Sequence, residues 1–464
     1  MFRFTETSPF NYVDYFVRAV QFLAKYKWIF CYNNTKFIRS GVLEELPQQW
    51  IADLNAVSNE EFNQIPLGFI KEFLYPHPQD TWCDSFREFL LQVTQLQVQY
   101  DQHDNVPHKD NRQKPARKGI NAKKAYEIDN LCSFIESVQC RANTTLYVDF
   151  GSGLGYLSEL IHERCGANVL GIEANPALVQ TCNNRLQVHK TKAVQYCHHF
   201  ITEDSYDFIE QERNIRFGTH QHLPAAVVGL HACADLSITA INCFLRCEWV
   251  KSLTIMPCCY HRMVPRDETV PNEFLNFPLS QELRALLRED GKRGIICRSF
   301  LRLGCQQTSA RWKERTVEQH LQHGRIMFRR GLIDAVLEQD ESVRVGKLNV
   351  VPAVTTVDNM LEQFKLLKEF DNVSHETRWT EQHRERLSAL LEKYGTEGPK
   401  LAEYVECLQT CLQSICENVI LLDRMCYLET VAQQTGLQVR RNLVRLRDDG
   451  LSPRCFIVYA SKGR

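Results

Sequence analysis

A chain of 464 residues, 44% hydrophobic and 24% charged, is long enough for two or three domains and has the composition of an ordinary globular protein. Its 55 Lys/Arg against 56 Asp/Glu leave a formal net charge of -1, which excludes a global attraction to nucleic acid or anionic membrane, so any such affinity must come from local patches. No run reaches the ~20 apolar residues of a membrane helix, and the start, MFRFTETSPF, lacks a basic stretch followed by an apolar one. The 19 cysteines are therefore expected to be reduced, inside the cell in cytoplasm or nucleus, most of them as small core residues.

Residues 1–108 read as a helical N-terminal region. Tyr15–Trp28 carries apolar side chains at helical spacing, Pro47 opens a helix with Trp50, Ile51 and Leu54 on one face, and Ser85–Val98 is a third. Residues 101–122 are polar, with Pro107, Pro115 and Gly119, and read as a linker. Within 109–124 there are seven Lys/Arg against the single acid Asp110. That segment is either a solvated loop or an arm that contacts phosphate beside the next domain. Lys123–Val138 then reads as a helix.

From Leu146 the pattern alternates strand and helix, which predicts a parallel sheet with helices on both faces. The apolar run Leu146–Val148 leads into Asp149, then Gly151, Ser152, Gly153 and Gly155, then an amphipathic helix start. The glycines allow close backbone approach by a ligand. Asn168–Ala174 is a second strand, with Glu173 at its end, placed to accept hydrogen bonds from a ribose diol. Ala177–Gln187 follows as a helix. Ala193–Cys197 is a short third strand, with His198, His199 and Phe200 after it, near where an adenine would lie. Ala225–His231 is the fourth strand, followed by the helix Ser237–Arg246, and Ser252–Met256 is the fifth. Ligands of such sheets sit at the carboxyl ends of the strands. His231, Cys233, Asp235, Cys258, Cys259, Tyr260 and His261 should therefore share one rim and are the candidate catalytic residues.

Residues 265–400 read as a mostly helical, basic insertion, with a short strand at Val343–Val350. Its part 291–330 holds ten Lys/Arg against Glu314 and Glu318, with Trp312 among them. It is either an ordinary solvated helix face or a surface for RNA, through phosphate contacts and stacking on an exposed Trp312. A long helix, Leu401 to about Gln433, precedes two closing strands, Leu437–Leu446 and Pro453–Ala460. The domain bounds follow as 1–108, 109–264, 265–400 and 401–464, with the core split by the insertion.

The D-x-G-x-G-x-G spacing from Asp149 to Gly155 resembles motif I of the class I S-adenosylmethionine (SAM) methyltransferases. That resemblance implies a Rossmann-like, seven-stranded α/β sheet closed by an antiparallel hairpin. It also implies SAM as cofactor, over Asp149, Gly151, Ser152, Gly153 and Gly155 with Glu173 on its ribose. VDFGSGLGYLSEL (148–160), GLHACADL (229–236) and MPCCYH (256–261), in that order, resemble the methyltransferase-like 25 family. The likeness continues through RGLIDAVLEQDESVRV (330–345) and ENVILLDR (417–424) and covers most of the chain.

One branch of that family is named for a ribosomal RNA adenine dimethylase domain. Adenine N6 methylation uses a Pro-Pro-aromatic turn after the fourth strand, and this chain has HisAlaCysAlaAspLeu (231–236) there. C5 methylation of a pyrimidine needs a thiolate, and Cys233 with Cys258 or Cys259 occupy the two rim positions, His231 and His261 serving as bases. His231, Cys233, Cys258, Cys259 and His261 are also zinc-type ligands. Adjacent cysteines seldom converge on one ion, however, and no C-x-x-C spacing is present, so no metal is expected. Protein N-methylation, with Asp235, Tyr260 and His261 positioning an amine, and an inactive scaffold stay open beside RNA methylation. RNA, through the basic segments 109–124 and 291–330, is the expected acceptor, and no membrane partner is expected.

Overall fold

The strand-helix alternation from Leu146 onward folds as a layered sheet in the computed structural model of the chain. The structure describes residues 2–67, 82–103, 120–142, 144–189, 192–218, 223–270, 272–306, 308–337, 343–345, 356–370, 373–447, 450–453 and 455–463. Two units are distinguished by their internal contacts. The first comprises Met1–Gln21, Leu96–Gln307 and Ile415–Arg464; the second comprises Phe22–Gln95 and Thr308–Ser414. These divisions differ from the sequence bounds at 108, 264 and 400.

In chain order the strands begin with β1 (Phe2–Phe4), β2 (Val98–His103), β3 (Leu146–Phe150), β4 (Asn168–Glu173), β5 (Val194–His198), β6 (Ala225–Cys233) and β7 (Val250–Cys258). They continue with β8 (Val343–Val345), β9 (Leu366–Phe370), β10 (Val373–Thr377), β11 (Val439–Leu446) and β12 (Phe456–Lys462). The first unit holds a nine-stranded sheet of order β1-β2-β11-β12-β7-β6-β3-β4-β5. Strand β12 runs antiparallel to both of its neighbours, β11 and β7. The pairs β6–β7, β3–β6, β3–β4 and β4–β5 are parallel. The run from β5 to β11, with one antiparallel strand, is the class I methyltransferase arrangement. The central strands read as continuous apolar runs because helices cover both faces; every residue of β3 is buried.

The N-terminal region is not all helical, which corrects the sequence reading. Its helix Asp84–Gln95 stops three residues short of the expected end, and Val98–His103 forms β2. This strand pairs with the outer edge of β11, and β1 pairs with β2 in turn. An open sheet edge offers a row of unpaired backbone groups, and pairing with it outweighs the weak local preference of a polar segment. Side chains fix the register: Tyr100 Oη donates to Asn418 Oδ1 at 2.7 Å, and Asn442 Nδ2 donates to Asp101 Oδ2 at 2.9 Å.

Strands β6 and β7 each run two residues past their expected ends, so Cys233 and Cys258 lie on strands rather than after them. In the second unit β8, β9 and β10 form a separate antiparallel sheet. Of the short strand expected at 343–350, residues 343–345 are β8 and 346–350 lie outside the described residues. This unit's core gathers Phe37, Phe328, Leu332, Met360, Leu387 and Val405. The expected long helix spans Gly398–Gln434.

Candidate active site

The glycine turn joins β3 to the helix Tyr156–Cys165. Gly151, Gly153 and Gly155 all take positive φ, at 72°, 56° and 71°, a region that side chains with a Cβ enter only under strain. Backbone hydrogen bonds from Gly151 N and Ser152 N to Ile172 O, at 2.9 and 3.0 Å, lash the turn to β4. Gly153 N–H donates to Glu173 Oε2 at 2.9 Å, and Asn175 N–H donates to Oε1 of the same carboxylate at 2.9 Å. A Cβ on Gly153 would meet nothing within 4 Å, so the turn has an open face with Glu173 beside it.

Two of the expected cofactor residues lie beneath the turn. Asp149 is 1% exposed and accepts from Ser158 Oγ at 2.6 Å. Burial pushes its carboxyl up to about 7, with the Ser158 hydroxyl opposing and Glu173 adding to the rise. Its role is to tie the turn to the helix that follows. The Ser152 hydroxyl points back against Gly171 and is buried without a hydrogen-bond partner. Tyr196 of β5 was missed in the sequence. Its ring fills the space that Gly155 and Gly171 leave open, and its hydroxyl donates to Gly155 O at 3.1 Å. Only its place on a strand of weak pattern could have marked it. Past β5, His199 stacks on Phe208 with centroids 4.0 Å apart, while Phe200 is 73% exposed.

The rim at the ends of β6 and β7 concentrates backbone strain. Among the described residues, the non-glycine positions with positive φ are His231 (62°), Ala234 (47°) and Cys259 (51°). Such conformations persist only where surroundings enforce them, and they cluster at functional sites. At His231 the cause is a slip in the β6–β7 register between Gly229 and Ala232. His231 Nε2 lies 3.2 Å from Glu127 Oε2, and its Nδ1 has no hydrogen-bond partner among the described residues. Glu127 is 1% exposed and also accepts from Ser452 Oγ. Burial would raise its carboxyl, but His231 and Ser452 outweigh that and hold it below the usual range. The sequence carries no signal for this trio. Glu127 sits in a stretch that reads only as a helix, and Ser452 sits in the closing loop.

The other rim candidates divide. Cys233 and Cys258 are opposed in the β6–β7 register with Sγ atoms 3.0 Å apart. Cys259 Sγ joins them, all three lying within 4.8 Å of one another. The sequence expectation that adjacent cysteines diverge fails here because the left-handed backbone at Cys259 turns its thiol back toward its neighbour's. Asp235 uses both oxygens on the loop that follows, accepting from Val264 N and Asn276 Nδ2 at 2.9 Å each. Tyr260 is 1% exposed, donates to Glu417 Oε1 at 3.2 Å and packs under Arg424 at 5.0 Å. Its hydroxyl and ring are thus both engaged within the fold. His261 Nδ1 sits 3.1 Å from Cys305 Sγ, and burial with the nearby Arg302, Arg262 and Arg298 lowers its pKa.

Of the basic segment 109–124, residues up to 119 lie outside the described ones; Lys124 Nζ sits 5.4 Å over the ring of Tyr156, the first residue past the glycine turn. The segment 291–330 is divided between the two units. Trp312, expected to be exposed for base stacking, is 3% exposed, which corrects that reading. It packs on Phe62 and His320 and under Arg315, and its indole N–H donates to Phe62 O at 3.3 Å. Arg298 is spent on the carbonyls of His261 and Met263. In the first unit, Arg266, Arg284, Arg288, Lys292 and Arg293 line a hollow of about 560 Å³ with Glu273 as its acid.

Comparison with known proteins bears on this geometry. The family described as a methyltransferase domain matches residues 123–266, so that span is a methyltransferase domain. The curated relative "Probable methyltransferase-like protein 25" of Mus musculus is 26% identical over 273 residues, 57% of this chain and 40% of its own. The chain thus spans about two-fifths of that relative. Among solved structures, the plantazolicin methyltransferase BamL with a triazolic analogue and SAH is 10% identical, with 88% of this chain and 98% of that chain covered, at a TM-score of 0.25. Coclaurine N-methyltransferase bound to N-methylheliamine and SAH is 9% identical, with 91% and 98% covered, at 0.23. The fold assignment rests on the strand order and on the family match.

Proposed function

We propose that the chain, which is similar to methyltransferase-like protein 25 and carries a methyltransferase domain over residues 123–266, is a member of that family and a SAM-dependent methyltransferase with a macromolecular acceptor, RNA ahead of protein. The observation that carries the donor half is the glycine turn with an open face at Gly153 and the Glu173 carboxylate beside it. These residues fit SAM: the turn admits the methionine moiety, and Glu173 can exchange its bond to Gly153 N–H for a ribose diol. Bound there, SAM supplies an electrophilic methyl group on a sulfonium.

The chain's own residues supply the acceptor half. His231, held through Nε2 by Glu127, has a buried Nδ1 with no hydrogen-bond partner among the described residues, and this is the atom that would take a proton from an acceptor N–H or O–H once the acceptor reaches it. The buried Glu127 carboxylate stabilises the imidazolium that results. Asp235, with both oxygens engaged, and Arg298, on two carbonyls, hold the loop after β7 in place. The hollow with five cationic residues supports RNA, because a phosphate backbone is held by clustered Lys and Arg and loses hold as salt rises.

Calorimetry with SAM tests the donor half, with Gly153→Arg as the control that fills the open face. Binding by the wild type and none by the variant is the expected result; no binding by the wild type overturns the reading. Labelled SAM offered to RNA and protein from cells lacking the chain tests the acceptor. Label should enter RNA and fall roughly tenfold with Arg288→Glu plus Arg293→Glu, while SAM binding stays. Label in protein alone overturns the RNA assignment.

A further inference from the structure

We infer that Cys233, Cys258 and Cys259 form a binding site for a thiophilic divalent cation of the zinc class. Three observations meet at this place, and none depends on methyl transfer. The first is distance. The three Sγ atoms lie within 4.8 Å of one another, with Cys233 and Cys258 at 3.0 Å. A tetrahedral zinc with Zn–S near 2.3 Å sets its sulfurs about 3.8 Å apart, so seating the ion takes shifts of about 1 Å or less. No other described group of three His, Cys, Asp or Glu side chains converges in this way. Cys243 and Cys247, 3.8 Å apart, are a pair only.

The second is the backbone that brings the thiols together. Cys233 and Cys258 are register partners on adjacent parallel strands. Ala234 N–H donates to Cys258 O at 2.9 Å, tying the two strand ends beyond that pair. Ala234 and Cys259 both take left-handed φ. Without that turn at Cys259, neighbouring side chains would point apart. Strain of this kind costs of order 1–3 kcal/mol per residue and is held where it serves a site.

The third is charge. Arg424 is fully buried, and none of its three guanidinium nitrogens has a hydrogen-bond partner among the described residues. It lies over Tyr260, within electrostatic reach of Cys258. A divalent cation with three thiolates carries a single negative charge, and Arg424, which Asp423 and Asp235 also face, is a buried cation within electrostatic reach of it. With three protein ligands among the described residues, a fourth position is left for water or an acceptor heteroatom, the pattern of catalytic rather than structural zinc sites. His261 is outside this group, since neither of its ring nitrogens lies within 4.8 Å of all three sulfurs.

Metal analysis of the full chain, purified under reducing conditions and loaded with zinc, should find about one tightly held zinc per chain. Cys233→Ser and Cys259→Ser should each weaken retention more than about 100-fold, beyond what loss of a supporting residue does, while Cys247→Ser should leave it unchanged. Two measurements on the wild type guard against variants that fail to fold. Cobalt in place of zinc should give a thiolate-to-metal charge-transfer band. Zinc should also protect these three cysteines, and not Cys247, from alkylation mapped by mass spectrometry. A chain that takes up no metal overturns the proposal, as does metal that survives both serine substitutions. A Cys233–Cys258 disulfide that forms on exposure to air although zinc is present also overturns it.

Discussion

The glycine turn and the thiol-histidine rim stand at the carboxyl ends of adjacent strands, β3 and β6, yet they are built in opposite ways. The turn is local. Nearly all of it comes from Asp149–Ser158, and its distinctive backbone angles fall on glycines, where they cost little. The rim is assembled from afar. His231 is paired with Glu127, which Ser452 holds in turn, and Tyr260 with Glu417 and Arg424, and its left-handed angles fall on His, Ala and Cys, where they are strained. A site that receives one invariant ligand can be written in a short motif. A site gathered from several elements is set by the surrounding fold, and its strain is sustained by contacts far away in the chain.

The largest expected effect breaks the local half. A Cβ on Gly155 would lie 2.0 Å from Tyr196 Oη, at a φ of 71°. Gly155→Val should therefore destabilise the first unit by about 3 kcal/mol or more and abolish SAM binding in calorimetry. Gly166, at φ 64° with nothing within 4 Å of its Cβ position, is the matched control. Gly166→Ala should cost only the left-handed conformation, ~1 kcal/mol. Equal losses in urea-unfolding midpoints for the two variants would show that the Tyr196 contact does not shape the turn.

This contrast also explains what could be read from the chain. Seven strands in their order, the glycine turn with Glu173 beside it, and the meeting of rim residues from β6 and β7 were legible, because strand periodicity and glycine spacing are local signals. Strands β1 and β2 were not, since Val98–His103 is polar and becomes a strand only because β11 leaves an edge to pair with. Trp312 looked like a stacking surface amid Lys and Arg, but Phe62, 250 residues away, buries it. Asp235 and Tyr260 have the chemistry of catalytic groups, and their hydrogen bonds to Asn276 and Glu417, 41 and 157 residues away, could not be read from the chain.

A smaller effect separates the halves by function. His231→Ala should lower methyl transfer roughly a hundredfold or more while leaving SAM binding intact, the range for loss of a general base. Glu127→Gln should cost about tenfold, because the neutral amide still holds the ring but stabilises the imidazolium less. Single-turnover transfer beside SAM calorimetry measures both. If His231→Ala lost SAM binding instead, the rim would be part of the donor pocket and the division drawn between the halves would fail.

The smallest effect concerns the buried acid beneath the turn. Asp149 has its carboxyl pushed up to about 7 by burial, against an ordinary value of 3.8. A carboxyl raised in the folded state contributes stability that is fully present below its unfolded value and is lost as pH rises through the folded one. The wild type should therefore weaken between about pH 4 and 7, by at most ~4 kcal/mol. Asp149→Asn has nothing to titrate there, but it must hold the Ser158 hydroxyl through a neutral bond of about half the strength. The variant should thus match or trail the wild type near pH 4 and lead it by about 1–2 kcal/mol at pH 8, read from urea midpoints across the range. A constant difference at every pH would mean that Asp149 is already ionised at pH 4. The turn would then be held by a buried charge with Ser158 as its partner, and the local half of the site would be as strained as the rim.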